Sequence, residues 1–308
     1  MAVATRIVRF LVLLLGLASP ALAQDEQDLL HYQYDPPLDT DIVHAFEIVS
    51  TVIVGEIEHV ERWTHDVVIR LDEKDGEEFT GTFELRNVVN LENAEEDFQY
   101  LVARSLEGEP FALRMLDLGL ASEVDWPAIE ARLEERIPEL IEPAKADIVL
   151  ASLDLIPDKT KVVLRPIDAI GQAYVFPFRK DGELHRLENA GKLTYLALDP
   201  AVIEIGGGFD QEPQAYILDW LVTPQSDLAL EALEAELQRL ANTLGSQLDG
   251  DSTSIIDQAV AEGINAAEDG YAIYDLDRGL VQEATITALI GSDAVAYGTR
   301  IKMTLTSP

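Results

Sequence analysis

The stretch Glu56-Ile57-Glu58-His59-Val60-Glu61-Arg62-Trp63-Thr64-His65-Asp66-Val67-Val68-Ile69-Arg70-Leu71 decides the fold class. Its odd positions, Ile57, His59, Glu61, Trp63, His65, Val67, Ile69 and Leu71, are mostly apolar or aromatic. Its even positions, Glu56, Glu58, Arg62, Thr64, Asp66 and Arg70, are mostly charged. Side chains alternate across an extended chain, so this is a strand with one face in a core and one in water. Upstream, Val43 to Val54 carries apolar residues in both phases: Phe46, Ile48 and Val52 in one, Val43, Val49 and Ile53 in the other. That pattern predicts a strand that is central or covered on both faces. Downstream, Asp75-Gly76 is a tight-turn signal. It leads into Phe79 to Leu91, where Phe79, Phe83, Leu85, Val89 and Leu91 form one predicted face. Two more strands are read at Phe98 to Ala103 and Phe111 to Leu116, giving a meander of neighbouring strands.

Before this sheet, the chain opens with Arg6 and Arg9, a short apolar run from Phe10 to Leu17, and Ala21-Leu22-Ala23 ahead of Gln24. This is the layout of a secretory signal cut after Ala23. The run is shorter than the ~20 apolar residues a bilayer span needs, so no integral membrane segment is expected once residues 1–23 are removed. The predicted location is periplasmic or secreted. Residues 24–41 are acidic and contain Pro36-Pro37, which suits a flexible leader. Residues 42–308 are read as one domain, with a sub-division near 150–160 as the alternative.

The chain has no cysteine, which removes disulfides, thiol nucleophiles and thiolate metal sites together. With 57 acidic against 22 basic residues, its net charge is -35. Such a chain repels nucleic acid and anionic headgroups. The acids are spread along the sequence, which fits a solvated surface; capture of cations or basic partners is the sharper alternative.

Asp125-Trp126-Pro127 predicts a helix start, followed at helical spacing by Ile129, Leu133, Ile137, Leu140 and Ile141, with Pro138 and Pro143 kinking or dividing it. Short extended runs return at Val162 to Leu164, Ala173 to Phe178, Leu184 to Leu187, Leu193 to Leu198 and Val202 to Ile205. Thr223-Pro224 is read as opening an amphipathic helix with Leu230, Leu233, Leu237, Leu240 and Leu244 on one face. A weaker helix with Ile256, Val260 and Ile264 follows, and the chain ends in a hairpin of Leu280 to Ile290 with Gly298 to Leu305, where Ile301, Met303 and Leu305 form an apolar row.

Strands, helix, strands, helices, strands is an α+β order. The expected architecture is a curved antiparallel sheet, a half-barrel-like meander, packed on amphipathic helices. That layout resembles the half-barrel of periplasmic lipoprotein carriers and related bacterial lipid-binding lipoproteins. The closing segment Gly270-Tyr271-Ala272-Ile273-Tyr274-Asp275-Leu276-Asp277-Arg278-Gly279-Leu280-Val281, followed by two strands, is similar to the end of several secreted bacterial families. The resemblance implies a hydrophobic cavity between sheet and helices.

No catalytic constellation is legible: the chain lacks a G-x-S-x-G elbow, a P-loop, an H-E-x-x-H helix and a Rossmann glycine pattern. No catalytic residue, cofactor or metal is assigned. Gly206-Gly207-Gly208 reads as a hinge or loop. His59 and His65 lie about 20 Å apart along a strand, too far to share a metal. Asp249, Asp251, Thr253, Ser254 and Asp257 carry oxygen ligands at roughly alternate positions but lack the glycine and terminal Glu of a calcium loop, and they equally suit a helix cap. Two function classes follow. The first is a non-enzymatic binding protein for a lipid or other apolar ligand, lined by Ile57, His59, Trp63, His65, Val67, Ile69, Phe83 and Leu85. The second is a structural or interaction protein of the envelope, with a closed core and an acidic surface for a protein partner of unknown identity.

Overall fold

The computed structural model describes residues 29–30, 34–54, 56–117, 119–155, 178–179, 184–189, 200–210, 215–226, 265–277, 279–292 and 295–307, with scattered positions between 159 and 171 and at 231 and 261. In chain order the strands are β1 (Leu29–Leu30), β2 (Asp41–Val54), β3 (Ile57–Asp75), β4 (Glu78–Glu92), β5 (Phe111–Leu116), β6 (Ala121–Val124), β7 (Phe178–Arg179), β8 (His185–Glu188), β9 (Ala201–Asp210), β10 (Ala215–Pro224), β11 (Asn265–Asp275), β12 (Leu280–Gly291) and β13 (Val295–Ser307). Among the described residues the helices with both ends defined are α1 (Phe98–Leu106), α2 (Trp126–Leu140) and α3 (Pro143–Leu155).

Eleven of the strands make one open, curved, antiparallel sheet in the order β6-β5-β4-β3-β2-β13-β12-β11-β10-β9-β8. It consists of two meanders joined back to back. One runs outward from β2 to β6, the other returns from β8 to β13, and the final strand zips onto β2 in the middle of the sheet. The two-phase apolar pattern of β2 follows from this place, because both its neighbours are long strands. Ile42, His44, Phe46, Ile48 and Ser50 are buried on what we call the inner face. The outer face of β2 to β4 is charged. Arg70 there lies near three carboxylates, Asp39 at 3.5 Å, Asp41 at 3.6 Å and Asp72 at 3.2 Å.

The β3–β4 hairpin turns at Gly76, whose φ of 63° is the left-handed geometry that the Asp-Gly signal implies. Further along β4 the expected face breaks. Val89 and Leu91 are exposed, whereas Val88 is buried. Asn87 has a φ of 56°, and its amide donates to Asp66 at 2.6 Å. The register against β3 shifts between Thr64 and Asp66, so the inward phase moves from odd to even residues. The Val88 N–H released by this bulge donates to the Glu107 carboxylate at 2.9 Å, and the Gly108 N–H to the Leu85 carbonyl at 2.8 Å. The bulge thereby fastens the C-terminal end of α1 to β4.

Phe98 to Ala103, expected as a strand, lies in helix α1. The Asp97 carboxylate caps it by accepting from the Tyr100 N–H at 2.8 Å. Leu101, Val102, Ser105 and Leu106 recur at helical spacing and are all buried. Helix α2 starts as predicted, with Asp125 accepting from the Ala128 N–H at 3.2 Å and Ile129, Leu133 and Ile137 buried. Pro138 is accommodated within α2, and the division comes at Pro143, where α3 begins.

Other expectations are corrected too. Val163, inside a predicted extended run, is helical and buried. Gly206, Gly207 and Gly208 belong to β9 rather than a loop. At Gly207 a Cβ would stand 2.6 Å from the Ile217 carbonyl oxygen and from the Tyr216 hydroxyl, so the glycine admits β10 and its tyrosine. Thr223 and Pro224 end β10 instead of opening a helix. The Leu230–Leu244 face, the Ile256–Ile264 helix and the acidic cluster at 249–257 lie outside the described residues. Tyr34 is buried edge-on to Phe79 at 5.9 Å, and its N–H donates to the Asp117 carbonyl at 3.1 Å.

The bulge makes a specific demand on residue 87. Urea unfolding should place Asn87→Val about 1–2 kcal/mol below wild type, since a branched residue resists positive φ. Asn87→Gly should stay within about 1 kcal/mol. Equal losses would mean that the Asp66 bond, and not backbone conformation, holds the bulge.

Candidate functional site

Register converts the separate strands into rows of side chains that cross the inner face. The rim row, one row in from the end of the sheet where Ile57, Val54 and Val295 lie opposite one another, contains His59, Val52, Tyr297, Ile290 and Ala266. The next holds Glu61, Ser50, Thr299, Ala288, Glu268, Val222, Ile203 and Leu187. The third holds Trp63, Ile48, Ile301, Ile286, Gly270, Trp220 and Ile205. The fourth holds His65, Phe46, Met303, Ala284, Ala272, Leu218 and Gly207. Residues of these rows join one hydrophobic cluster that spans both meanders.

Of the residues singled out in the sequence, Trp63, His65, Val67, Ile69, Phe83 and Leu85 are all buried on this face, with Val67 opposite Leu85 and Ile69 opposite Phe83. His59 stands at the rim, 56% exposed, with Nε2 3.4 Å from the Glu61 carboxylate. Ile57 opens β3. Helix α1 covers this region, where Tyr100 meets the Trp63 indole edge-on at 6.5 Å.

Several polar groups are embedded in the apolar face. The His65 ring is stacked on Phe46 at 5.3 Å and 9°, and neither of its nitrogens finds a hydrogen-bond partner. The same holds for Trp63 Nε1, Ser50 Oγ and Thr299 Oγ1. Burial pushes the His65 pKa down to about 4. His44, likewise buried, is lowered to about 4, with a backbone contact at Val281 working slightly the other way. Asp97 is pushed up to about 7, mainly by burial and further by the Glu61 carboxylate beside it, against the pull of its bond from the Tyr100 N–H. On β10, the Trp220 indole lies over Gly270, where any Cβ would collide with the ring, and its Nε1 donates to the fully buried Glu268 at 3.3 Å.

Sequence reading missed Ser50, Thr299, Glu268, Asp97 and Trp220. Ser50 shares the even phase of Phe46 and Ile48, which was a usable signal. Its place beside Thr299, 249 residues away in the chain, was not.

Among the described residues no three His, Asp or Glu side chains gather as a metal site, and no helix is long and apolar enough to cross a membrane. No protein family and no curated protein matches the sequence. A solved structure concerned with lipid–protein interactions in lipovitellin aligns at 8% identity with a TM-score of 0.43. The alignment covers 89% of this chain and 25% of that one, so this chain spans about a quarter of the lipovitellin chain.

The buried imidazoles set an acid limit. Between pH 4 and 6.5 each ring binds fewer protons folded than unfolded, so stability falls as pH drops through that window. The full loss is on the order of 3 kcal/mol per histidine. Asp97 acts oppositely, binding more protons when folded between 3.8 and about 7, so its share of stability declines as pH rises through that range. Denaturant titrations at pH 7 and pH 4.5 should show that His65→Leu removes about half of the histidine-derived loss. Parallel curves for variant and wild type would contradict a buried neutral His65.

Proposed function

We propose that this chain is a non-enzymatic binding protein for a lipid or other apolar ligand, which lies between the inner face of the sheet and the helices over it. It acts in the periplasm or outside the cell after loss of residues 1–23, with residues 42–308 working as one domain. The observation that carries this reading is the set of lone polar atoms in an apolar face: Trp63 Nε1, both His65 nitrogens, Ser50 Oγ and Thr299 Oγ1. A buried polar group left without a partner costs about 1–3 kcal/mol, and the large majority of buried polar atoms in folded proteins are paired. A ligand with an apolar body and a few polar atoms supplies both the missing partners and the apolar contact.

Closure of the face favours a second reading. Trp63, Val67, Ile69 and Phe83 are each 0% exposed, so no water-sized void touches them. Under the first reading, ligand must reach these four residues by displacing cover such as Tyr100. Under the second, the sheet is a closed envelope-protein core and the acidic surface meets a partner.

Native mass spectrometry of the chain purified from its own secretion route separates the two. The binding reading expects a co-purifying apolar adduct that Trp63→Phe, which stays aromatic but loses the indole N–H and one of its two fused rings, weakens by at least roughly five- to ten-fold, the share of about 1–1.4 kcal/mol that one hydrogen bond supplies. A chain that stays adduct-free even after incubation with a lipid extract, and whose Trp63→Phe variant loses stability as a large-to-small substitution in a packed core does, supports the closed core.

A further inference from the structure

We infer that the inner-face row Glu61, Ser50, Thr299, Ala288, Glu268 is a head-group site, built for an amphiphile whose polar end donates hydrogen bonds and carries no negative charge. This rests on the binding reading above and adds the chemistry of the ligand's polar end. The row is continuous by register, since Ser50 pairs with Glu61 on one side and Thr299 on the other, Thr299 with Ala288, and Ala288 with Glu268. Register partners present their side chains on the same face of a sheet. These five positions therefore form one line across β3, β2, β13, β12 and β11.

Two hydroxyls sit in the middle of that line. Ser50 is 2% exposed and Thr299 3%, and neither oxygen has a hydrogen-bond partner. Carboxylates flank them: Glu61 with Asp97 beside it at one end, and Glu268, already receiving the Trp220 N–H, at the other. The described residues place no Lys or Arg in this row or in the two beside it. Among the described residues of these rows the other titratable groups are His59, on the far side of Glu61, and Tyr297, both in the rim row. Carboxylates and hydroxyls together accept far more hydrogen bonds than they donate. A phosphate or carboxylate head would meet further oxygen acceptors here and no cation, whereas a hydroxyl or ammonium head would meet partners for its donors.

Position in the face supports the same assignment. On one side lies the rim row, with His59 and Tyr297 open to water. On the other lie Ile48, Ile301 and Ile286, apolar and buried. A polar line one row in from the rim, backed by apolar rows, matches an amphiphile that enters tail first and stops at its head.

The test compares three probes with one tail, dodecylamine, dodecyl maltoside and dodecyl phosphate. Calorimetric titrations into the full-length secreted protein stay below each probe's micelle threshold and use about 0.5 M salt, so that the general acidity of the surface is screened. The amine and the maltoside should each bind at least ten-fold more tightly than the phosphate. In Ser50→Ala/Thr299→Val that preference should shrink at least five-fold, while the thermal midpoint is unchanged or higher, because apolar groups of similar shape replace lone hydroxyls. Equal or tighter binding of the phosphate, or a preference unaltered in the double variant, overturns the head-group assignment and leaves the binding reading standing. If none of the three probes binds wild type, the binding reading falls and takes this inference with it.

Discussion

The pairing of β2 with β13 is the constraint on which the rest depends. It joins a meander built outward from residue 41 to one that arrives at residue 307, and it fixes which side chains from the two ends of the chain stand together. Phe46 meets Met303, Ile48 meets Ile301 and Ser50 meets Thr299 only in this register. A slip of one residue would turn every one of these side chains to the opposite face. The sequence specifies against that slip by alternation on both strands: Ile42, Phe46 and Ile48 in one phase of β2, Ile301 and Met303 in one phase of β13, with Glu47 and Lys302 outward. The closure is also the most distant in sequence, so its loop-closure entropy must be offset by the apolar area it buries across both halves.

Against that apolar gain stand polar groups that a core does not require. His65, stacked on Phe46 without a hydrogen bond, and the Ser50 and Thr299 hydroxyls each subtract from stability. Asp97 is different, because its carboxylate caps α1 while Glu61 and burial oppose its ionisation. Helix α1 is thus held over Trp63 by a cap whose strength depends on pH at one end and by the Glu107 bond to the β4 bulge at the other. The outer face shows the opposite economy. Scarce arginines such as Arg70 and Arg86 each serve several exposed acids, pairs that individually stabilise little.

Local chemistry was legible in the sequence and long-range chemistry was not. The alternation through Trp63, His65, Val67 and Ile69, the Asp75-Gly76 turn, the Asp125 cap and the closing hairpin each depend on neighbours within a few residues, and each reads correctly. Phe98 to Ala103 misled because a short apolar run fits either period, and the deciding signal was Asp97 as a cap. Val89 and Leu91 misled because one left-handed residue, Asn87, inverts the phase behind it. The strands β10 and β11 escaped notice although Tyr216, Leu218, Trp220 and Val222 alternate cleanly inward. The polar row was beyond reach from sequence, since Glu61, Ser50, Thr299 and Glu268 become neighbours only through four separate registers.

The claim that this face receives an amphiphile is tested most directly by a high-resolution crystal structure of the protein taken from its native source without removal of bound lipid. The account predicts non-protein density reaching from the rim, with a polar atom about 2.7–3.2 Å from Ser50 Oγ or Thr299 Oγ1 and a tail against Ile48 and Ile301. The same closed packing over both hydroxyls with no non-protein density beside them, or a single trapped water bridging them, would contradict it.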